Sequence, residues 1–191
     1  MLPQEQEIAA GNRTEYAVSR DFCRIFAEDM DGLYTLCLLL TADPAKAERC
    51  FGLALEDCLG ATRVFQEWTR SWARRAVIRS AVQMMQPAPE ARFGRGLAPE
   101  IGSVPVAASQ VPLAPILQLK TFERFVFVMS VLERCSDHDG TVLLGCSRSD
   151  YIRARNRALL RLTQAVENQG AATRIEAGAF LPINPLIAKT A

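Results

Sequence analysis

The run from Ser136 to Leu162, SDHDGTVLLGCSRSDYIRARNRALLRL, constrains the fold more than any other part of the chain. It holds two helix starts of one kind, Ser136-x-x-Asp139 and Ser147-x-x-Asp150. A serine followed three residues later by an acid resembles a capping box, because each side chain can satisfy a backbone N–H that the first helical turn leaves unpaired. Gly145 precedes the second start, and two capped helices about a glycine turn describe a helix-turn-helix. The second helix carries Arg148, Ser149, Arg153, Arg155, Arg157 and Arg161. Arg153, Arg157 and Arg161 are spaced i, i+4, i+8 and share one helix face. That face has the pattern of a ridge against DNA phosphates. Arg148 is placed for a base-edge contact, since recognition helices enter the major groove N-terminus first. Three to five phosphate contacts would give a log–log salt slope of about −3 to −5.

Upstream, the periodicity is helical almost throughout residues 20–85, without alternating β-branched runs. It predicts helices over 20–29 and 31–40, where Leu33, Leu36, Cys37 and Leu40 form an i, i+3, i+4, i+7 stripe. Asp43 is a good N-cap and Pro44 a good first helical residue. The helix they open should end at Gly60, with Ala47, Cys50, Phe51, Ala54, Leu55 and Cys58 facing inward. A last helix is expected over 62–85, with Phe65, Trp68 and Trp72 along one side. Residues 86–115 are rich in Pro, Gly and Ser without periodicity, which reads as a flexible linker. The expected organisation is all-α: a frayed segment 1–18, a helical domain 19–85, the linker 86–115, a helix-turn-helix domain 116–167 and an apolar tail 168–191.

Composition narrows the chemistry. With 22 basic and 21 acidic residues, any nucleic-acid contact must come from local patches. The six cysteines form no CxxC pair and mostly occupy apolar helical positions, where Cys acts as a small hydrophobe. His138 is the only histidine, which removes most acid–base and metal chemistry; Cys135, His138 and Cys146 lack a fourth zinc ligand. The acidic pairs at Glu28-Asp29 and Glu56-Asp57 read as solvated helix ends. No apolar run is long enough to span a bilayer, and the N-terminus has no signal-peptide core, so a cytoplasmic location is expected. The expectation is a protein that binds rather than catalyses, with no cofactor, no metal, no membrane and no small-molecule substrate.

Three segments together resemble bacterial RNA polymerase sigma factors of the extracytoplasmic-function type. Residues 33–48, LYTLCLLLTADPAKAE, look like that family's LYRLALRLTGDPAEAE run. Phe65-x-x-Trp68, with Ala73-Arg74 and Ile78, is similar to its F-x-x-W-L-x-x-I-A-R helix. Residues 119–162 track its LPPRERE…G-x-S…RARKRL domain through Glu123-Arg124, Val126-Phe127, Ser136, Gly145, Ser147, Arg157-Ala158 and Leu162. The resemblance implies a region 2-like bundle that binds core RNA polymerase, and a region 4-like helix-turn-helix that reads promoter DNA. It also implies an anti-sigma protein as a further partner. Trp68 would be a core residue. Opening of the downstream promoter element would fall to Arg70, Arg74 and Arg75.

Departures from the family are concentrated at its contact surfaces. The D-x-x-Q-E-x-F grip on polymerase falls at Arg49, Gly52, Leu53 and Leu55, with none of its residues retained. The polymerase face is therefore expected at Arg49, Gly52, Leu53 and Glu56 in rewritten form. Gly140 sits inside the first helix of the motif, at a cost of about 1 kcal/mol relative to Ala. A usual leucine of the recognition helix is Arg155. The expected function is transcription initiation; the alternative is a sigma-fold regulator or adaptor that no longer holds polymerase in the usual way. An all-helical enzyme is a distant third.

Overall fold

The computed structural model describes residues 16–61, 63–89 and 113–178, with side chains through residue 168. The segment expected to fray (1–15 of it), most of the linker, and the end of the tail lie outside the described residues. The chain is all-α. Its helices are α1 (Ser19–Glu28), α2 (Met30–Thr41), α3 (Pro44–Leu59), α4 (Thr69–Met85), α5 (Leu113–Leu117), α6 (Thr121–Phe127), α7 (Asp137–Leu144) and α8 (Arg148–Gly178).

The local signals act where the sequence places them. The Asp43 carboxylate accepts from the Lys46 N–H at 2.9 Å, with Pro44 opening α3. Leu33, Leu36, Cys37 and Leu40 form the buried stripe of α2. Ala47, Cys50, Ala54 and Cys58 of α3 are buried against it, while Phe51 and Leu55 are half-buried at the margin. Burial pushes the Cys58 thiol up to about 12, as expected of a thiol acting as a core hydrophobe.

Three boundaries differ from the sequence expectation, one of them at α5, which begins at Leu113 inside the linker expected through 115. The helix expected from residue 62 starts at Thr69. Val64 is buried instead, its carbonyl accepts the Ala17 N–H at 2.7 Å, and Tyr16 bridges Phe65 in an isolated antiparallel pair. A short 3-10 turn, Gln66–Trp68, then leads into α4. At the other end α8 continues to Gly178, past the boundary expected at 167.

The first and second helical blocks share one buried core, in which α2 packs on α5 and α6. Arg124 on α6 fastens this seam. It is 4% exposed, and its guanidinium donates to the Leu40 carbonyl at 3.2 Å and to the Leu119 carbonyl at 3.0 Å. Leu40 is in the last turn of α2, where carbonyls have no partner within the helix. A cation there also meets the negative end of the helix dipole. Beyond α6 the apolar run continues as a π-helical turn, Val128–Leu132, closed by the Glu133 N–H on the Val128 carbonyl.

Candidate nucleic-acid interface

The helix-turn-helix is built as its capping residues require. The Ser136 hydroxyl accepts from the Asp139 N–H at 3.0 Å and donates to the Asp139 carboxylate at 3.0 Å. Ser147 repeats the arrangement with Asp150, at 3.1 and 2.6 Å. Between them Gly145 takes φ +58°, a left-handed C-cap that closes α7.

Gly140 has a structural reason that the sequence did not disclose. A Cβ there would lie 2.6 Å from Cε2 of Tyr151, whose ring is fully buried against the α7 backbone. The glycine lets α7 and α8 approach closely enough to bury an aromatic ring between them. The Tyr151 hydroxyl is buried, and burial pushes its pKa up to about 12.

The arginines of α8 divide into two sets. Arg148 and Ser149 stand exposed at the N-terminal end, and no ion pair holds Arg148 among the described residues. Arg153 folds back on its own turn, bonding Asp150 at 3.0 Å and the Ser149 carbonyl at 3.1 Å. Arg155 reaches α7, pairing Asp137 at 2.7 Å. Arg157 and Arg161 converge on one carboxylate, Glu123 of α6, at 3.3 and 2.6 Å. The Glu123 side chain is 3% exposed, so two guanidinium groups offset the cost of burying it. Of the expected ridge of Arg153, Arg157 and Arg161, the distal two members brace α8 on α6 while their side chains stay 45% and 41% exposed. Arg155 braces α8 on α7.

The basic residues of α4 are also engaged. Arg70 meets Glu28 at 3.5 Å across the exposed end of α1. Arg74 makes two short bonds to Glu133, 2.7 and 2.6 Å, and a third contact to Asp29 at 3.4 Å. Its hydrogen bond to Glu133 raises the Arg74 guanidinium above its usual range. Arg75 pairs Asp139 of α7 at 3.3 Å. These contacts border an open cleft of about 900 Å³ between α4 and the turn leading to α7, lined by Trp68, Trp72, Arg74, Arg75, Arg134 and Cys135 among others.

Trp68 departs from its expected place in the core: its side of the 3-10 turn faces outward, and the residue is 55% exposed. It meets Phe65 edge to face at 5.2 Å, and Phe65 stacks on Tyr16 at 5.1 Å. Trp72, one turn on, is half-buried beneath Arg79, 5.1 Å from its ring centroid.

The α3 face of Arg49, Gly52, Leu53 and Glu56 is open. All four are exposed, Leu53 at 41%, and nothing lies within 4 Å of where a Gly52 Cβ would stand. Among the described residues no cluster of three or more His, Cys, Asp or Glu side chains could hold a metal ion, and no helix is long and apolar enough to cross a membrane. No protein-family model matches the chain, and no curated protein matches it significantly.

Proposed function

We propose that this chain is a sigma-factor-like transcription initiation protein that works by binding, with promoter DNA and core RNA polymerase as its partners. The observation that carries the reading is the helix-turn-helix, whose α8 offers Arg148 and Ser149 exposed at its N-terminal end. The exposed Arg148 guanidinium, in no ion pair among the described residues, suits two acceptors on a guanine edge. The exposed Trp68 beside Phe65 and Tyr16 supplies an aromatic surface on which an unpaired base can stack. The open α3 face is the surface for polymerase.

A second reading has an observation of its own. The open α3 face has a cation and a glycine where the family carries its polymerase-gripping acid and glutamine, and several expected DNA-contacting arginines are paired internally. On that reading the chain is a sigma-fold regulator or adaptor whose α3 face meets a different protein.

Capture of purified core polymerase on the immobilised chain separates them. Stoichiometric capture that survives salt supports initiation, and Leu53→Asp should abolish it. Absence of capture, alongside retained DNA binding, supports the regulator. Absence of both removes the sigma-like reading altogether.

A further inference from the structure

The two helical blocks meet along two seams of opposite character. One is dry: α2 against α5 and α6, fastened by the buried Arg124. The other is wet and ionic: Arg74 with Glu133, Arg75 with Asp139, and the open cleft beside them. The four side chains of the wet seam are not alike. Glu133 is only 9% exposed and Arg74 34%, whereas Arg75 and Asp139 are about half exposed at 54% and 44%. A dry apolar seam resists separation, because opening it returns apolar surface to water. The half-exposed Arg75–Asp139 pair exchanges for hydration at small net cost, whereas the nearly buried Glu133 parts from Arg74 less readily. The ionic seam is therefore the weaker of the two, and its half-exposed Arg75–Asp139 pair parts most readily, while α8 stays braced on α6 through Glu123.

The wet seam also ties up donors of the α4 face, with Arg75 and Trp68 still about half exposed. Arg74 and Arg75, both expected to act in strand opening, are held by carboxylates of the other block, and the cleft wall behind them is Trp68 and Trp72. We propose that the Arg74–Glu133 and Arg75–Asp139 pairs form an autoinhibitory latch that closes the helix-turn-helix block over the basic, indole-lined face of α4, and that a single-stranded nucleic acid competes with the two carboxylates for those guanidinium groups. Polyanion and carboxylate make the same hydrogen bonds to the same donors, so closure and strand binding exclude one another. The consequence for function rests on the DNA-binding reading above; the latch itself does not.

The test uses the full chain with donor and acceptor dyes on bioorthogonal residues at the exposed positions Glu67 and Val142. Transfer efficiency, read without DNA, should fall in Glu133→Arg, fall in Arg74→Glu, and return toward wild type when the two are combined. It should fall in the unsubstituted chain as sodium chloride rises, which keeps the test decisive if a charge reversal fails to fold. Glu133→Gln should raise affinity for a mixed-sequence single-stranded 12-mer at least about fivefold, the lower end of typical coupling between sites. Glu48→Gln on exposed α3 removes the same charge away from the latch and should leave that affinity near wild type. Transfer efficiency unchanged across the variants and the salt series overturns the latch. A working latch without any gain in strand affinity overturns the competition, and places the failure in the DNA-binding reading.

Discussion

Helices α3 and α4 pack side by side, and the sequence assigns each a face for a partner. On α3 that face is bare. Arg49, Gly52, Leu53 and Glu56 are exposed, and the glycine has empty space beside it. On α4 the face is covered only in part: Arg70, Arg74 and Arg75 are each paired to a carboxylate, two of them with acids from the second block, while Arg70 and Arg75 stay more than half exposed. A bare face tolerates substitution and reports only on a partner. A covered face carries stability and conformation as well, so a variant there cannot be read from binding alone.

The largest expected effect lies where the covered region is tied down. Arg124→Leu leaves the Leu40 and Leu119 carbonyls buried without their charged donor, and should cost about 3 kcal/mol in denaturant unfolding. A loss under about 1 kcal/mol would mean that the dry seam does not depend on this guanidinium. Gly140→Ala comes next. The gain in helix propensity, about 1 kcal/mol, opposes an overpacking cost of about 1–3 kcal/mol as the new methyl meets the Tyr151 ring, so the net should be a lower melting temperature.

The same glycine-to-alanine change on the bare face should act in the other direction. Gly52 is exposed in mid-helix with nothing near its missing Cβ, and Gly52→Ala should raise stability by about 1 kcal/mol. Opposite signs at Gly140 and Gly52 sharpen the comparison; equal signs break it.

The smallest effect is a pH dependence. Burial raises the Tyr151 hydroxyl from 10.0 to about 12 in the folded chain. Below pH 10 the hydroxyl is neutral in both states and contributes no pH dependence. Between pH 10 and about 12 the unfolded chain releases this proton first, so stability falls as pH rises. Tyr151→Phe should remove that part of the alkaline loss, read by comparing urea midpoints of the two proteins at pH 9 and pH 11.

Local signals were legible in the sequence. The stripe of Leu33, Leu36, Cys37 and Leu40, the Asp43-Pro44 start, the two serine caps and Gly145 each act within one or two turns, and each stands as read. What the sequence withheld depends on residues far apart. Glu133 and Arg74 are 59 positions apart, and Arg124 reaches a carbonyl 84 positions away. An arginine on a predicted helix face gives no hint of which distant acid will reach it. Gly140 looked only like a weak helix residue, because its reason is the ring of Tyr151. Trp68 was misplaced for a related cause: the pairing of Tyr16 and Ala17 with residues 64–65 delays α4, which leaves the indole on a turn outside the helical stripe.

The account stands or falls on the exposed end of α8, and fluorescence anisotropy on a mixed-sequence 30-base-pair duplex, taken across a salt series, tests it most directly. With Arg155 and Arg161 each paired to a carboxylate of the protein itself, the expected log–log slope is about −2 to −3. Arg148→Ala should flatten it by about 1, while Arg161→Ala should leave the slope unchanged. Binding that is absent, or a slope that responds to Arg161 and ignores Arg148, would contradict the assignment.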